Sequence, residues 1–282
     1  MAGSSAILSF MLPSPVVMGV VNVTPDSFSD GGRYLRHADA IAHGRDLVAQ
    51  GAGILDVGGE STRPGAEPVG EDEELRRVVP VLEGLAGAGA RLSVDTTKAA
   101  VARAALEAGA EIVNDVSALR FDPALAGVVA GAGCDVCLMH MLGEPRTMQD
   151  APRYDDVVDD VKAFLEKRLA VAVGAGIAEE RVWLDPGIGF GKTATHNLEL
   201  LRRLGELVEL GRPVVVGTSR KSFLGRLSGS PGREVGDRVA GTIATNVLAL
   251  ERGATIFRVH DVAAVHDALA VAAATLRPDG AG

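Results

Sequence analysis

Eight short apolar runs, each followed by a stretch of helical spacing, order the chain from end to end, and this alternation leaves few folds open. The runs are Val16 to Val21, Ile54 to Val57, Arg91 to Val94, Ile112 to Val113, Asp135 to Met139, Val182 to Leu184, Pro213 to Val216 and Thr255 to Val259. Helical patterns cover Ala38 to Gln50, Glu71 to Leu85, Thr97 to Ala108, Pro123 to Ala130, Tyr154 to Val173, His196 to Leu207, Asp237 to Arg252 and Val262 to Leu276. In the third of these, Val101, Ala104, Ala105 and Ala108 recur on one face, as a helix packed on a sheet requires. Eight strands each followed by a helix predict a closed (β/α)8 TIM barrel of the α/β class. An open doubly wound sheet is the alternative, and the even count and unbroken composition favour the barrel. One domain is expected over residues 1–282, with frayed ends at about 1–5 and 278–282.

At 282 residues and 47% hydrophobic, the chain has ample material for one large core. Its 35 glycines and 4% aromatic content suit many tight turns and offer little surface for stacking nucleic-acid bases. A formal net charge of -9 argues in the same direction, against a DNA or RNA partner. Ile7 to Leu12 is apolar but too short to span a membrane, and no Lys or Arg precedes Arg33 to give a signal-peptide pattern. A cytoplasmic location without membrane association is therefore expected. Cys134 and Cys137 form a C-x-x-C in the fifth run, where side chains three apart face opposite sides of a strand. With no second pair to complete a zinc site, they read as two small buried or half-buried thiols.

The active site of such a barrel lies at the C-terminal ends of its strands. Nearly every one of those ends is polar here: Asn22; Glu60 to Arg63; Asp95; Asn114 and Asp115; His140; Asp185; Arg220 and Lys221; Arg258 and His260. One such residue is explained by helix capping, but a full ring is not. Asp95, Asn114 and Asp185 suit the amino and ring N–H edge of a heterocycle, and Lys221 adds a donor for a ring carbonyl or nitrogen. Arg63, Arg258 and His260, with Asn22 and a cation, suit an anion such as a pyrophosphate.

Around this ring, VWLDPGIGFGK from Val182 to Lys192 delivers Asp185 into a turn rich in glycine. GIGFGKT resembles a phosphate-binding P-loop, but Pro186 stands where the first glycine is required. Lys221 invites comparison with a Schiff-base lysine, yet its place between Arg220 and Ser222 suits a rim donor better. The stretches NVTPDSFSDGGRY, with Phe28, and GGESTRPGAEPVGEDEE, with Arg63, read as flaps that exclude water from the site.

These motifs together resemble the dihydropteroate synthases, folate-pathway enzymes of the pterin-binding barrels. The resemblance runs over nearly the whole chain through MGVVNVTPDSFSDGG at Met18, DVGGESTRPGA at Asp56, SVDTTKAAVA at Ser93, NDVSAL at Asn114, LMHM at Leu138, LDPGIGFGKTATHN at Leu184, GTSRKSFLG at Gly217 and RVHDV at Arg258. It implies condensation of 6-hydroxymethyl-7,8-dihydropterin pyrophosphate with 4-aminobenzoate, with dissociative loss of pyrophosphate assisted by Mg2+. It also implies catalytic roles for Asp95, Asp185, Lys221, Asp30 and Arg63. Asn114 joins Asp95, Asp185 and Lys221 in the pterin pocket, and Met139 is a further substrate-binding residue. Asn22 with Mg2+, Arg258 and His260 hold the pyrophosphate, and Thr62, Arg63, Pro64, Phe28, Phe190 and Ser222 form the aminobenzoate subsite. The implied assembly is a homodimer, for which the apolar face of Val239, Ile243, Val247 and Leu250 is compatible; packing on the barrel explains that face equally well. The rival readings are a barrel that transfers a methyl group from methyltetrahydrofolate to a corrinoid and a paralogue that binds pterin without catalysis. The first has no use for ESTRPG or SRKS, and the second predicts loss of Asn22, Arg63 or Lys221, all present.

Overall fold

The computed structural model describes residues 14–24, 33–61, 67–227 and 238–277. In chain order the elements are β1 Val16–Asn22, α1 Arg33–Ala49, β2 Ile54–Gly58, α2 Glu71–Leu85, β3 Arg91–Asp95, α3 Ala99–Glu107, β4 Ile112–Asp115, α4 Leu125–Ala132, β5 Asp135–Met139, α5 Val157–Gly174, β6 Val182–Asp185, α6 Ala194–Arg202, α7 Gly205–Val208, β7 Val215–Val216, α8 Ser222–Leu227, α9 Val239–Glu251, β8 Ile256–Val259 and α10 Val262–Leu276. The eight parallel strands follow the order β6-β5-β4-β3-β2-β1-β8-β7. A bridge from Leu184 to Val214 joins the two ends and closes the barrel.

Side chains alternate along a strand, so residues two apart share a face. Met18, Ile54, Ile112, Cys137, Trp183, Val215 and Ile256 meet in a separate apolar cluster, which is the barrel interior. Below it, Arg91 pairs with Asp135 at 2.7 Å and lies over the Trp183 ring. The much larger second cluster lies between sheet and helices and takes the residues of opposite parity, such as Leu55, Val57, Val113 and Leu184. Cys134 belongs to this outer core and Cys137 to the interior. Both are free and buried, and burial raises both thiols, Cys134 to about 11.

Several boundaries differ from the sequence reading for identifiable reasons. The fifth helix begins at Val157, not Tyr154, because the Asp156 carboxylate accepts from the Val158 and Asp159 N–H groups as an N-cap. The pattern from His196 to Leu207 divides into α6, which starts in a Thr193 and His196 capping box, and the separate turn α7. The seventh strand is only two residues long, since Pro213 has no N–H to give the ladder and contributes its carbonyl to Leu184. Helix α8, opening at Ser222, lies outside the eight helical stretches named above. On α9, Leu250 is buried and Ile243 packs against the core, so that apolar face turns to the barrel; Leu248 on α9 and Val271 and Leu276 on α10 are exposed large apolar residues.

Among the described residues no helix is long and apolar enough to cross a membrane.

Candidate active site

Two residues beyond the interior apolar layer, the same inward parity reaches Asp56 from Ile54, Asn114 from Ile112, Met139 from Cys137, Asp185 from Trp183 and Arg258 from Ile256. Asp95 pairs in register with Asn114 and Gly58, and Gly58 pairs with Asn22, which puts Asp95 and Asn22 on the inward side too. The polar ring thus follows from strand geometry: the barrel is apolar in its middle and polar at its mouth.

Asp56 is the hub of that ring. Fully buried, it accepts from Ser93 Oγ at 2.6 Å, Asn114 Nδ2 at 3.0 Å and Arg258 Nε at 2.7 Å. Arg258 Nη2 reaches on to Asp95 Oδ2 at 2.9 Å, so one guanidinium bridges two carboxylates. Because Asp56 takes the Asn114 amide N–H, the amide oxygen is left as the acceptor for a ligand. Burial raises the Asp95 carboxyl to about 7 even though Arg258 holds it down, with Asp56 adding to the rise. Burial also lowers the basicity of Arg258, but Asp56 and Asp95 outweigh it and keep the guanidinium charged.

The Asp185 carboxylate is set by the loop that follows it. Its Oδ1 accepts from Gly187 N at 2.7 Å, while burial raises its pKa against the pull of that N–H and of Lys221. Gly187 has φ +65, and a Cβ there would lie 1.8 Å from the His140 carbonyl oxygen. Gly189, at φ +83, leaves the space that the Lys221 side chain fills. Lys221 Nζ donates to the Ile188 carbonyl and sits 4.4 Å from the centre of the Phe190 ring. Burial lowers its pKa to about 7, against the opposing attraction of Asp185. Lys192, the residue that suggested a P-loop, is buried and bonds His140 Nδ1 at 2.8 Å and the carbonyls of Gly187 and Phe190 at 3.0 Å. It braces the loop from inside, and burial with the Lys192 charge drives His140 down to about 2, a neutral imidazole.

Across β7, Ser219 Oγ meets both His260 N at 3.1 Å and His260 Nδ1 at 3.0 Å. Ser222 opens α8 at the exposed rim. Met139 joins Val116, Met141, Met148 and Phe190 in a small apolar cluster above the ring. The structure therefore places Asn22, Asp95, Asn114, Met139, Asp185, Phe190, Lys221, Ser222, Arg258 and His260 around one mouth. Phe28, Asp30, Thr62, Arg63 and Pro64 lie outside the described residues. Sequence reasoning missed Asp56, Ser93, Lys192 and Ser219. For Asp56 the signal was a carboxylate in the middle of an apolar strand, where nothing apolar can pair it.

Residues 18–260 match the family described as "Pterin binding enzyme". The dihydropteroate synthase of Escherichia coli K12 is 47% identical over 269 residues, which cover 95% of this chain and 94% of the relative. Among solved structures, Xanthomonas albilineans dihydropteroate synthase with 4-aminobenzoic acid superposes with a TM-score of 0.88 at 51% identity, covering 94% of each chain. The same bacterium's enzyme in complex with 7,8-dihydropteroate gives 0.84 at 48% identity, covering 94% of this chain and 95% of that one. A polar ring at the mouth of a closed barrel, together with these likenesses over almost the full length, means that the chain belongs to the family of pterin-binding enzymes.

Proposed function

We propose that the chain catalyses dihydropteroate synthesis: 6-hydroxymethyl-7,8-dihydropterin pyrophosphate and 4-aminobenzoate give 7,8-dihydropteroate and pyrophosphate. The observation that carries this reading is the ring of Asp95, Asn114, Asp185 and Lys221 at one barrel mouth, two carboxylates and an amide oxygen facing one ammonium. The pterin's amino group and ring N–H present donors side by side, which Asp185, Asp95 and the Asn114 oxygen accept, and Lys221 donates to the ring carbonyl. Relatives solved with 4-aminobenzoic acid and with 7,8-dihydropteroate support the same substrates here.

In this account the bond from the exocyclic methylene to the pyrophosphate oxygen breaks first, and its electron pair leaves with the pyrophosphate. Asp95 and Asp185, held beside the ring in a dry pocket, offset the positive charge left on the pterin. The aminobenzoate nitrogen then gives its lone pair to the methylene and releases a proton, so no protein nucleophile is required. Arg258, His260 and Asn22 line the side where the pyrophosphate departs, and Phe190 and Ser222 line the side where the amine enters. Asp30 belongs to the first set of charges, and Phe28, Thr62, Arg63 and Pro64 to the amine side, in the same reading.

The donor set at the pyrophosphate side fits a Mg2+ ion that arrives with its substrate. The described residues hold no group of three or more His, Cys, Asp or Glu able to bind a metal, and Asn22 offers one amide oxygen at the end of β1. Mg2+ keeps several waters and binds through substrate phosphates with few protein ligands, usually carboxylates, so Asn22 would add one oxygen to a shell made mostly by the pyrophosphate. When bound, it neutralises charge developing on the leaving group.

A cytoplasmic homodimer is part of the same reading, and the exposed Leu248 and Val271 on neighbouring helices support the dimer. The pterin assignment is tested by calorimetric titration with 6-hydroxymethyl-7,8-dihydropterin. Asp185→Asn is expected to weaken binding by about 1–3 kcal/mol, since an amide N–H then faces a donor. Unchanged affinity overturns the placement.

A further inference from the structure

The turn between β7 and α8 carries a backbone conformation that its residue type resists. Arg220 has φ +59, in the left-handed region that a residue with a Cβ disfavours. Three neighbours hold it there. Asp261 grips the guanidinium through two bonds, Nε at 3.0 Å and Nη2 at 2.5 Å. Arg238 Nη1 donates to the Arg220 carbonyl at 2.8 Å, and the Arg220 N–H donates to Thr242 Oγ1 at 3.3 Å.

Asp261 makes this contact from the N-cap position of α10, where an aspartate ordinarily accepts from the first free N–H groups of the helix; here its side chain makes no capping bond. The residues on either side of Arg220 face opposite neighbours. Ser219 meets His260 beyond β8, and Lys221 reaches Ile188 and Phe190 in the loop after β6. A single left-handed residue between them is what lets consecutive side chains serve both sides of β7.

We propose that Asp261, assisted by Arg238, is a positioning residue for Lys221: by holding Arg220 in the left-handed conformation, it directs the Lys221 ammonium into the barrel mouth. The role rests on Lys221 serving the pterin pocket as described above. Its test reads Lys221 directly and needs no turnover, so failure of the synthase reading and failure of this one are separable.

The groups facing Lys221 are Asp185 from β6, Arg258 from β8 and Lys192 from the glycine loop. Burial among them keeps its titration midpoint about 7. Lysine-selective carbon-13 labelling of the whole protein, with Lys221 assigned by its loss in Lys221→Met, follows that midpoint by NMR. In Asp261→Ala the midpoint rises toward the ordinary lysine value of about 10, as the ammonium leaves the pocket. In Arg220→Gly/Asp261→Ala it returns toward 7, because glycine adopts positive φ without a partner to hold it. Arg220→Gly alone keeps the midpoint near 7, and this variant tests the idea even where Asp261→Ala does not fold. In the condensation assay, Asp261→Ala lowers kcat about tenfold or more through misplacement of the lysine, and the added glycine restores most of it. An unshifted midpoint in Asp261→Ala, a shifted one in Arg220→Gly, or no rescue by glycine in the double variant overturns the proposal.

Discussion

At the scale of single residues, the site is expensive in the absence of substrate, and the cost has a pH signature. Asp95 has a folded pKa raised to about 7, so the stability its proton contributes is present at low pH and is lost as the pH climbs from about 4 to 7. Lys221 is depressed to about 7, so its contribution is present above about 10 and is lost as the pH falls toward 7. Both groups therefore weigh against the fold around neutrality. Urea midpoints measured across pH should show Asp95→Asn without the fall on the acid side and Lys221→Met without the rise on the alkaline side. Profiles parallel to wild type would contradict the burial assigned to these two groups. Asp56→Ala should be among the most damaging changes, about 3 kcal/mol by denaturation, since it leaves the part-buried Arg258 guanidinium to Asp95 alone and strips the Asn114 amide and the Ser93 hydroxyl of their acceptor. The importance of Asp56 was hard to read from the chain alone. Every residue of β2 is buried, on one face or the other, so no alternation of polarity announces which positions point inward.

At the scale of elements, two braces set the loops that present the site. In the first, Gly187 and Lys192 shape the turn after β6; Gly187→Ala meets the His140 carbonyl and should displace Asp185, abolishing pterin binding in calorimetry while the barrel stays folded by circular dichroism. The second lies just beyond the C-terminal ends of β2 and β3. Lys98 Nζ bonds Glu60 at 2.5 Å and also the fully buried Glu74, and Glu60 in turn accepts from the Val69 N–H at 3.1 Å. Lys98→Met leaves Glu74 a buried carboxylate without its cation and should cost about 3 kcal/mol in urea unfolding, with Glu74→Gln in the same chain recovering most of the loss. No recovery would place the defect elsewhere. The elements themselves were largely legible. Apolar runs of strand length located all eight strands, and Asp156 and Thr193 carried capping information that moves two helix starts by two or three residues. What stayed hidden depends on distant contacts: Arg220 paired with Asp261, or Ser219 with His260, joins residues some forty positions apart and leaves no local pattern.

At the scale of the molecule, one closed barrel separates stability from chemistry along its axis. Arg91, Asp135 and Trp183 seal the lower end, the apolar layer fills the middle, and ionisable groups gather only where strands give way to loops. The count of strand and helix runs was enough to reach this architecture, and the polar strand ends were enough to find the mouth. The identity of the substrates came from the extended motifs, because a ring of carboxylates, amide and ammonium specifies a class of heterocycle rather than one compound. The central claim is that this mouth joins a pterin to an aromatic amine. Purified protein given the pterin pyrophosphate, 4-aminobenzoate and Mg2+ tests it, with pyrophosphate and dihydropteroate followed separately in the same reaction. The account predicts equal release of the two; pyrophosphate without dihydropteroate, or neither product, would contradict it.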